Sequence, residues 1–182
     1  MKIVVGITGA SGTIYARRLV ERLSVNDTCE ISVVFSTYGV AVARYEGEYD
    51  KIIETGVAVY DSDNMFCSLA SGSSKTDAMV IVPASASTLS RVATGASNNL
   101  LTRIADVMLK ERHKLIICLR ETPLSLIHID NMRSVTLAGA IVMPLSPSFY
   151  SNPTTISQLV DTQTDRIISL LGVNLPTYTF KG

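Results

Sequence analysis

The sequence predicts an α/β fold: a mostly parallel sheet covered by helices on both faces, in three layers. Three observations predict it. Short apolar runs alternate with longer segments of helical periodicity, the pattern of βαβ units. The runs are near-continuously apolar rather than alternating, as in strands buried on both faces. Turns of glycine and small residues follow the first and third runs directly, where a strand feeds a helix. The length, 182 residues, fits one domain spanning 1–182.

Lys2–Ile7 (KIVVGI) reads as a buried strand, and Thr8–Gly12 as the turn into a helix over Thr13–Leu23. Ile14, Leu19, Val20 and Leu23 give that helix its apolar stripe. Glu30–Phe35 is a second strand, and Thr37–Arg44 a helix running on to Glu46. Lys51–Ser74 is rich in Ser, Asp and Gly and reads as irregular. Ala78–Pro83 is a third strand, with a helix over Ser85–Ala93. Asn98–Glu111 is a strong helix, with Leu101, Ile104, Ala105 and Met108 at i, i+3, i+4 and i+7. Lys114–Leu119 is a fourth strand, Ser125–Ala138 a helix and Ala140–Met143 a fifth strand. Ile156–Leu171 is the last helix, stopped by Gly172.

Composition excludes several classes. The formal net charge is +0, whereas nucleic-acid binders carry a basic excess. The longest apolar runs fall far short of the roughly 20 residues of a membrane span. No signal peptide is expected, because Met1-Lys2 leads straight into the first strand. Three scattered cysteines fit a reducing cytosol, so a cytoplasmic location is expected. Two histidines and no Cys-x-x-Cys argue against a metal site. Only 18% of residues are charged, below the roughly 25% of soluble domains, while 47% are hydrophobic. Subunits covering one another's apolar surface would reconcile these, so a homo-oligomer is expected.

In open parallel sheets, ligands lie outside the carboxyl ends of the strands, so chemistry is sought there. Thr8-Gly9-Ala10-Ser11-Gly12 leads into a helix N-terminus, whose N–H groups and dipole suit a phosphate. The alternative is a tight turn with no ligand. The glycines at 6, 9 and 12 do not match G-x-G-x-x-G, and Phe35-Ser36 lacks the acid of a NAD site. G-x-x-x-x-G-K-[ST] is absent too. A monophosphate ligand fits better than a dinucleotide. Ser85, Ala86, Ser87 and Thr88 offer small side chains and hydroxyls to a flat ligand, or else simply start a helix. Arg103 and Lys110 share one helix face, with Asp106 placed for a solvated pair with Lys110. Arg120-Glu121 follows a buried strand: a proton-transfer carboxylate beside its charge partner, or a rim ion pair.

Together, GITGASGTIYARRL (6–19), ASGSSKTDAMVIVPAS (70–85), TLSRVATGASNNLLTRIADVMLKER (88–112), RETPLSLIHIDNM (120–132) and GAIVMPLSPSFYSNP (139–153) resemble the UbiX-type flavin prenyltransferases. The likeness runs nearly end to end and is weakest over residues 51–69. It implies a flavodoxin-like Rossmann fold and a homo-oligomer, a dodecamer of trimers. It implies transfer of a dimethylallyl group from dimethylallyl phosphate to N5 and C6 of reduced FMN, without metal. The product, prenylated FMN, would pass to UbiD-type decarboxylases. The resemblance places FMN contacts on Gly9, Ala10, Ser11, Ser36, Ser85 to Thr88 and Arg120. It places substrate contacts on Arg103, Lys110, Tyr150 and Arg166, and catalytic roles on Ser11, Glu46, Lys110 and Glu121.

Departures exist. Pro83-Ala84-Ser85 stands where the family often has Pro-Cys-Ser, and the chain has no Trp, leaving Met65 or Phe66 in the place of a family Trp. The tail after Gly172 is short. A cysteine decarboxylase of similar fold would need an early histidine and a P-x-M-N-x-x-M-W motif, both absent. An FMN carrier is the remaining alternative. It would not need Glu46, Lys110, Glu121, Tyr150 and Arg166, all of which are present.

Overall fold

The strand at the centre of the sheet, β1 (Lys2–Ile7), explains the layering. Its side chains alternate between two faces. Ile3, Val5 and Ile7 enter one apolar cluster, and Val4 enters the other. Both faces are covered, so the strand is without polar side chains from Ile3 to Ile7. On the second face, Gly6 leaves room for Leu101: a Cβ at Gly6 would come 3.2 Å from its side chain.

The computed structural model describes residues 1–179. The strands are β1, β2 (Glu30–Phe35), β3 (Ala58–Asp61), β4 (Ala78–Ala84), β5 (Lys114–Leu119) and β6 (Ile141–Val142). They form one sheet in the order β3-β2-β1-β4-β5-β6, and every adjacent pair is parallel. Ile3 faces Ile31 on one side and Ala78 on the other. The helices are α1 (Thr13–Ser24), α2 (Thr37–Tyr45), α3 (Tyr49–Ile53), α4 (Ala86–Thr94), α5 (Leu100–Lys110), α6 (Leu126–Leu137) and α7 (Ile156–Leu171).

Leu19 and Leu23 of α1 pack with Ile167, Ile168 and Leu171 of α7 over one face. Leu101, Ile104 and Met108 of α5, with Leu89 of α4, cover the other. Two arginines stitch α1 to α7. Arg18 grips Asp161 bidentately at 2.9 and 2.7 Å, and Arg22 donates to Asp165 at 2.5 Å. Arg22 also donates to the Pro176 carbonyl, and the Tyr178 N–H donates to Asp165. The end of the described chain is thereby strapped across α7. Among the described residues no helix is long and apolar enough to cross a membrane.

The five expected strands and the expected helices are present within a few residues. Residues 51–74 differ from expectation. They hold the end of α3, the strand β3 and a 3₁₀ turn at Ser68–Ala70. β3 lies at the sheet edge with Ala58, Val59 and Asp61 exposed, so it lacks the apolar run that marks the buried strands. The fifth expected strand is shortened to two residues. Met143 and Leu145 nevertheless continue its ladder, donating to the Ile117 and Leu119 carbonyls.

Candidate active site

The carboxyl ends of β1, β2 and β4 are braced against one another. The buried Thr8 hydroxyl donates to the Pro83 carbonyl at 2.7 Å and accepts from the Ser85 N–H at 2.8 Å. One side chain therefore locks the turn after β1 to the turn after β4. Gly39 lets the start of α2 close on β1, where a Cβ would stand 2.3 Å from the Ile7 carbonyl oxygen. At Gly9 a Cβ would meet Cβ of Tyr38 at 2.6 Å, so only glycine admits Tyr38 there.

These turns enclose a cleft of about 530 Å³. That volume lies within the usual range for small-molecule sites. Five of the residues expected at the ligand line it together: Gly9, Ser36, Ser85, Ser87 and Thr88. Ser36 caps α2, accepting from the Gly39 N–H, and Ser85 caps α4, accepting from the Thr88 N–H. The helix-starting role is therefore real at Ser85, and it coexists with a place on the cleft wall. Ala86 opens α4 without lining the cleft.

The phosphate expected at the start of α1 meets a different arrangement. Glu46, just past α2, sends its carboxylate to that helix N-terminus. It accepts from Gly12 N–H at 2.9 Å and from Thr13 N–H at 2.7 Å. Partial burial pushes the Glu46 carboxyl up. Hydrogen bonds from the Gly12 N–H, the Ser11 hydroxyl and the Thr13 N–H outweigh that and hold it below the usual carboxylate range. Ser11 and Glu46 are thus brought together, as a fixed anion and its hydroxyl partner. The α1 terminus is not a vacant phosphate cradle, because an internal carboxylate already occupies it.

Arg103 and Lys110 share one face of α5, as their spacing requires, and both meet the 70–74 segment. Arg103 Nε donates to the Ala70 carbonyl, and Lys110 Nζ lies where a Cβ on Gly72 would come within 2.6 Å. The ion pairs differ from expectation. Asp106 pairs with Arg103 at 2.9 Å, and Lys110 pairs with Glu111. Lys110 holds the Glu111 carboxyl below its ordinary range. Asn99, the α5 cap, lines the cleft, whereas Lys110 is eleven residues further on. At 1.5 Å per residue that is about 16 Å along the helix. One protomer does not bring Lys110 to this cleft.

Arg120 and Glu121 lie just beyond β5, where the Arg120 N–H donates to the Ala84 carbonyl at the end of β4. No ion pair joins the two side chains among the described residues, so the rim-pair reading does not hold. Glu121 is half-buried rather than buried, and accepts from the Thr122 N–H at 3.0 Å. Tyr150 and Arg166 come together in a separate cavity of about 360 Å³, walled also by Gln163, Asp165 and Tyr178.

Sequence reasoning missed Tyr38, Asp63, Arg91, Asn98 and Asn99 on the cleft wall. Asn99 carried a signal, since an Asn before an apolar helix is a preferred cap. Arg91 and Asp63 carried none, lying mid-helix and in the segment read as irregular.

The parallel sheet layered between helices, with a polar cleft beyond its strand ends, is a flavodoxin-like α/β fold, and the Flavoprotein family model matches residues 1–168. The chain is 43% identical to the flavin prenyltransferase UbiX of Methanocaldococcus jannaschii, over 96% of this chain and 95% of the relative. It is 42% identical to the flavin prenyltransferase LpdB of Lactiplantibacillus plantarum, over 97% of this chain and 95% of that one. A crystal structure of AnUbiX (PadA1) in complex with FMN and dimethylallyl pyrophosphate superposes with a TM-score of 0.92 at 34% identity. That match covers 100% of this chain and 97% of the other. The dodecameric FMN-dependent UbiX-like decarboxylase of Escherichia coli O157:H7 gives 0.95 at 31%, covering 100% of both chains. The chain belongs to the UbiX-type flavin prenyltransferase family.

Proposed function

We propose that this chain, acting as a single flavin-binding domain, transfers the dimethylallyl group of dimethylallyl phosphate to N5 and C6 of reduced FMN. The observation that carries this is near-full-length identity to flavin prenyltransferases. Glu46, Lys110, Glu121, Tyr150 and Arg166 accompany it. The cleft fits a flavin monophosphate: it has the volume, a glycine-permitted close approach at Gly9, and hydroxyls from Ser36, Ser85, Ser87 and Thr88.

Reduced FMN supplies the nucleophilic N5 and C6 when bound. Transfer to N5 would break the allylic C–O bond, release phosphate and displace the N5 proton. Closure at C6 would consume the prenyl double bond, one of its carbons taking a proton and the other bonding C6, which must then lose its own proton. Glu121, half-buried at the end of β5, is the group assigned to accept that proton. Glu46 stays ionised at neutral pH and accepts from the Ser11 hydroxyl, which gives the pair a route for exchanging a proton. Arg166 supplies a cation, and Tyr150 a phenol, to the departing phosphate. Arg120 stands at the β5 end to hold the flavin. No aspartate-rich magnesium motif is needed in this scheme, because the chain's own cations take the phosphate charge.

The cleft, the Tyr150–Arg166 cavity and the Arg103–Lys110 face are separate within one protomer. Leu126, Ile127, Leu137, Phe149 and Ile156 are exposed apolar side chains. Both facts support a homo-oligomer, a dodecamer by analogy with the E. coli protein, in which neighbouring copies complete the site. A fully active monomer in sedimentation would refute the assembly. The reading extends to a cytoplasmic enzyme, with its three cysteines free, passing prenylated FMN to a UbiD-type decarboxylase.

The test is the mass of the flavin after incubation with reduced FMN and dimethylallyl phosphate. A gain of one prenyl unit supports transfer. Bound but unchanged FMN supports the carrier alternative instead.

A further inference from the structure

We propose that Arg91 is the cation that holds the FMN phosphate, fixing that phosphate at the Ser36–Ser85 end of the cleft rather than on α1. The inference rests on the flavin reading of the cleft. A phosphate monoester needs positive charge and N–H donors. At the start of α1 the Gly12 and Thr13 N–H groups already serve Glu46, and a carboxylate there repels a second anion.

At α2 and α4 the caps Ser36 and Ser85 each take one first-turn N–H, from Gly39 and Thr88. The remaining first-turn N–H groups have no intrahelical acceptor, no internal carboxylate among the described residues sits on them, and both caps line the cleft. Arg91, in the second turn of α4, is the one cation among the described residues of the cleft wall. It is half-buried, and its guanidinium has no ion-pair or hydrogen-bond partner among the described residues. Asp63, on the same wall, does not pair with it. An unpaired arginine has five N–H donors in a planar fork that matches a phosphate. The terminal phosphate is the group of FMN that this fork suits.

The test compares two flavins on two variants. FMN and riboflavin share the ring and ribityl chain and differ only in the phosphate. Binding is followed by quenching of flavin fluorescence with wild type, Arg91→Gln and Arg91→Lys. Wild type is expected to favour FMN over riboflavin. Arg91→Gln is expected to weaken FMN binding by about 10- to 100-fold, the usual weight of a charge-assisted hydrogen bond. Riboflavin affinity should stay unchanged, which also shows that the variant is folded. Arg91→Lys should restore part of the loss.

Equal losses for both flavins would overturn the assignment, because Arg91 would then be serving the ring or the fold. Unchanged FMN affinity in Arg91→Gln would overturn it as well. Wild type that binds both flavins equally refutes the phosphate site while leaving the flavin cleft standing. Wild type that binds neither refutes the cleft reading and this inference with it.

Discussion

Removing the Glu46 carboxylate should cost the fold stability and make that loss depend on pH. In Glu46→Ala, the Thr13 N–H loses its acceptor at a fully buried residue, and the Gly12 N–H loses its acceptor at a half-buried one. An unsatisfied buried N–H costs about 1–3 kcal/mol. Water can reach Gly12, so its share is small. Losing a negative charge at a helix N-terminus adds about 0.3–1 kcal/mol. The expected total is about 2–3 kcal/mol for Ala and about 1 kcal/mol for Gln, which keeps one acceptor oxygen.

The assay is urea unfolding at fixed protein concentration, at pH 7 and again near pH 3. Glu46 in the folded chain titrates below its unfolded value, about 4.3. Its contribution is therefore complete above that unfolded value and fades as pH falls through the lower, folded one. The gap between wild type and Glu46→Ala should narrow in acid. A Glu46→Ala chain within about 0.5 kcal/mol of wild type at pH 7 would refute the capping role. So would a gap that does not change with pH.

Ser36→Asp keeps a good helix cap, since Asp caps as well as Ser, but adds a carboxylate facing the cleft. FMN titration should show weaker binding with unchanged thermal stability; equal affinity would place Ser36 away from the flavin. Glu121→Gln keeps shape and removes the basic group, so single-turnover flavin spectra should slow by roughly 10²–10⁴-fold with FMN affinity near normal. Near wild-type rates would show that Glu121 moves no proton. Mixing Lys110→Met chains with Arg166→Met chains should recover activity that each lacks alone, if copies share sites. No recovery in demonstrably mixed oligomers would argue that each protomer works by itself.

Much of the fold was legible because buried strands advertise themselves. Ile3, Val5 and Ile7 face one apolar cluster and Val4 the other, which forces a continuous apolar run. β3 lacked that mark, because an exposed edge strand needs no apolar face. At the site, the strand-end rule led directly to Gly9, Ser36 and Ser85. It could not reveal that Glu46 crosses 34 residues of chain to cap α1, since nothing local to either segment encodes that contact. The Asp106 partner was misjudged for a related reason. Two basic residues stand within reach on one helix, and helical spacing does not show that the 70–74 segment bonds Arg103 while Lys110 turns to the adjacent Glu111.

The pairing of α1 with α7 has a consequence for how the chain reaches this structure. Arg18–Asp161 and Arg22–Asp165 each join residues 143 positions apart, and the apolar stripe of α1 packs on Ile167, Ile168 and Leu171. Contacts between chain segments this distant form late, because the connecting loop must first be closed against its entropy. During synthesis the first helix emerges long before its partner exists, so one side of Leu19 and Leu23 stays uncovered until the ribosome has delivered the last helix. The protein therefore completes its core only when both ends of the chain are available, and the period before that is its window of exposure to aggregation.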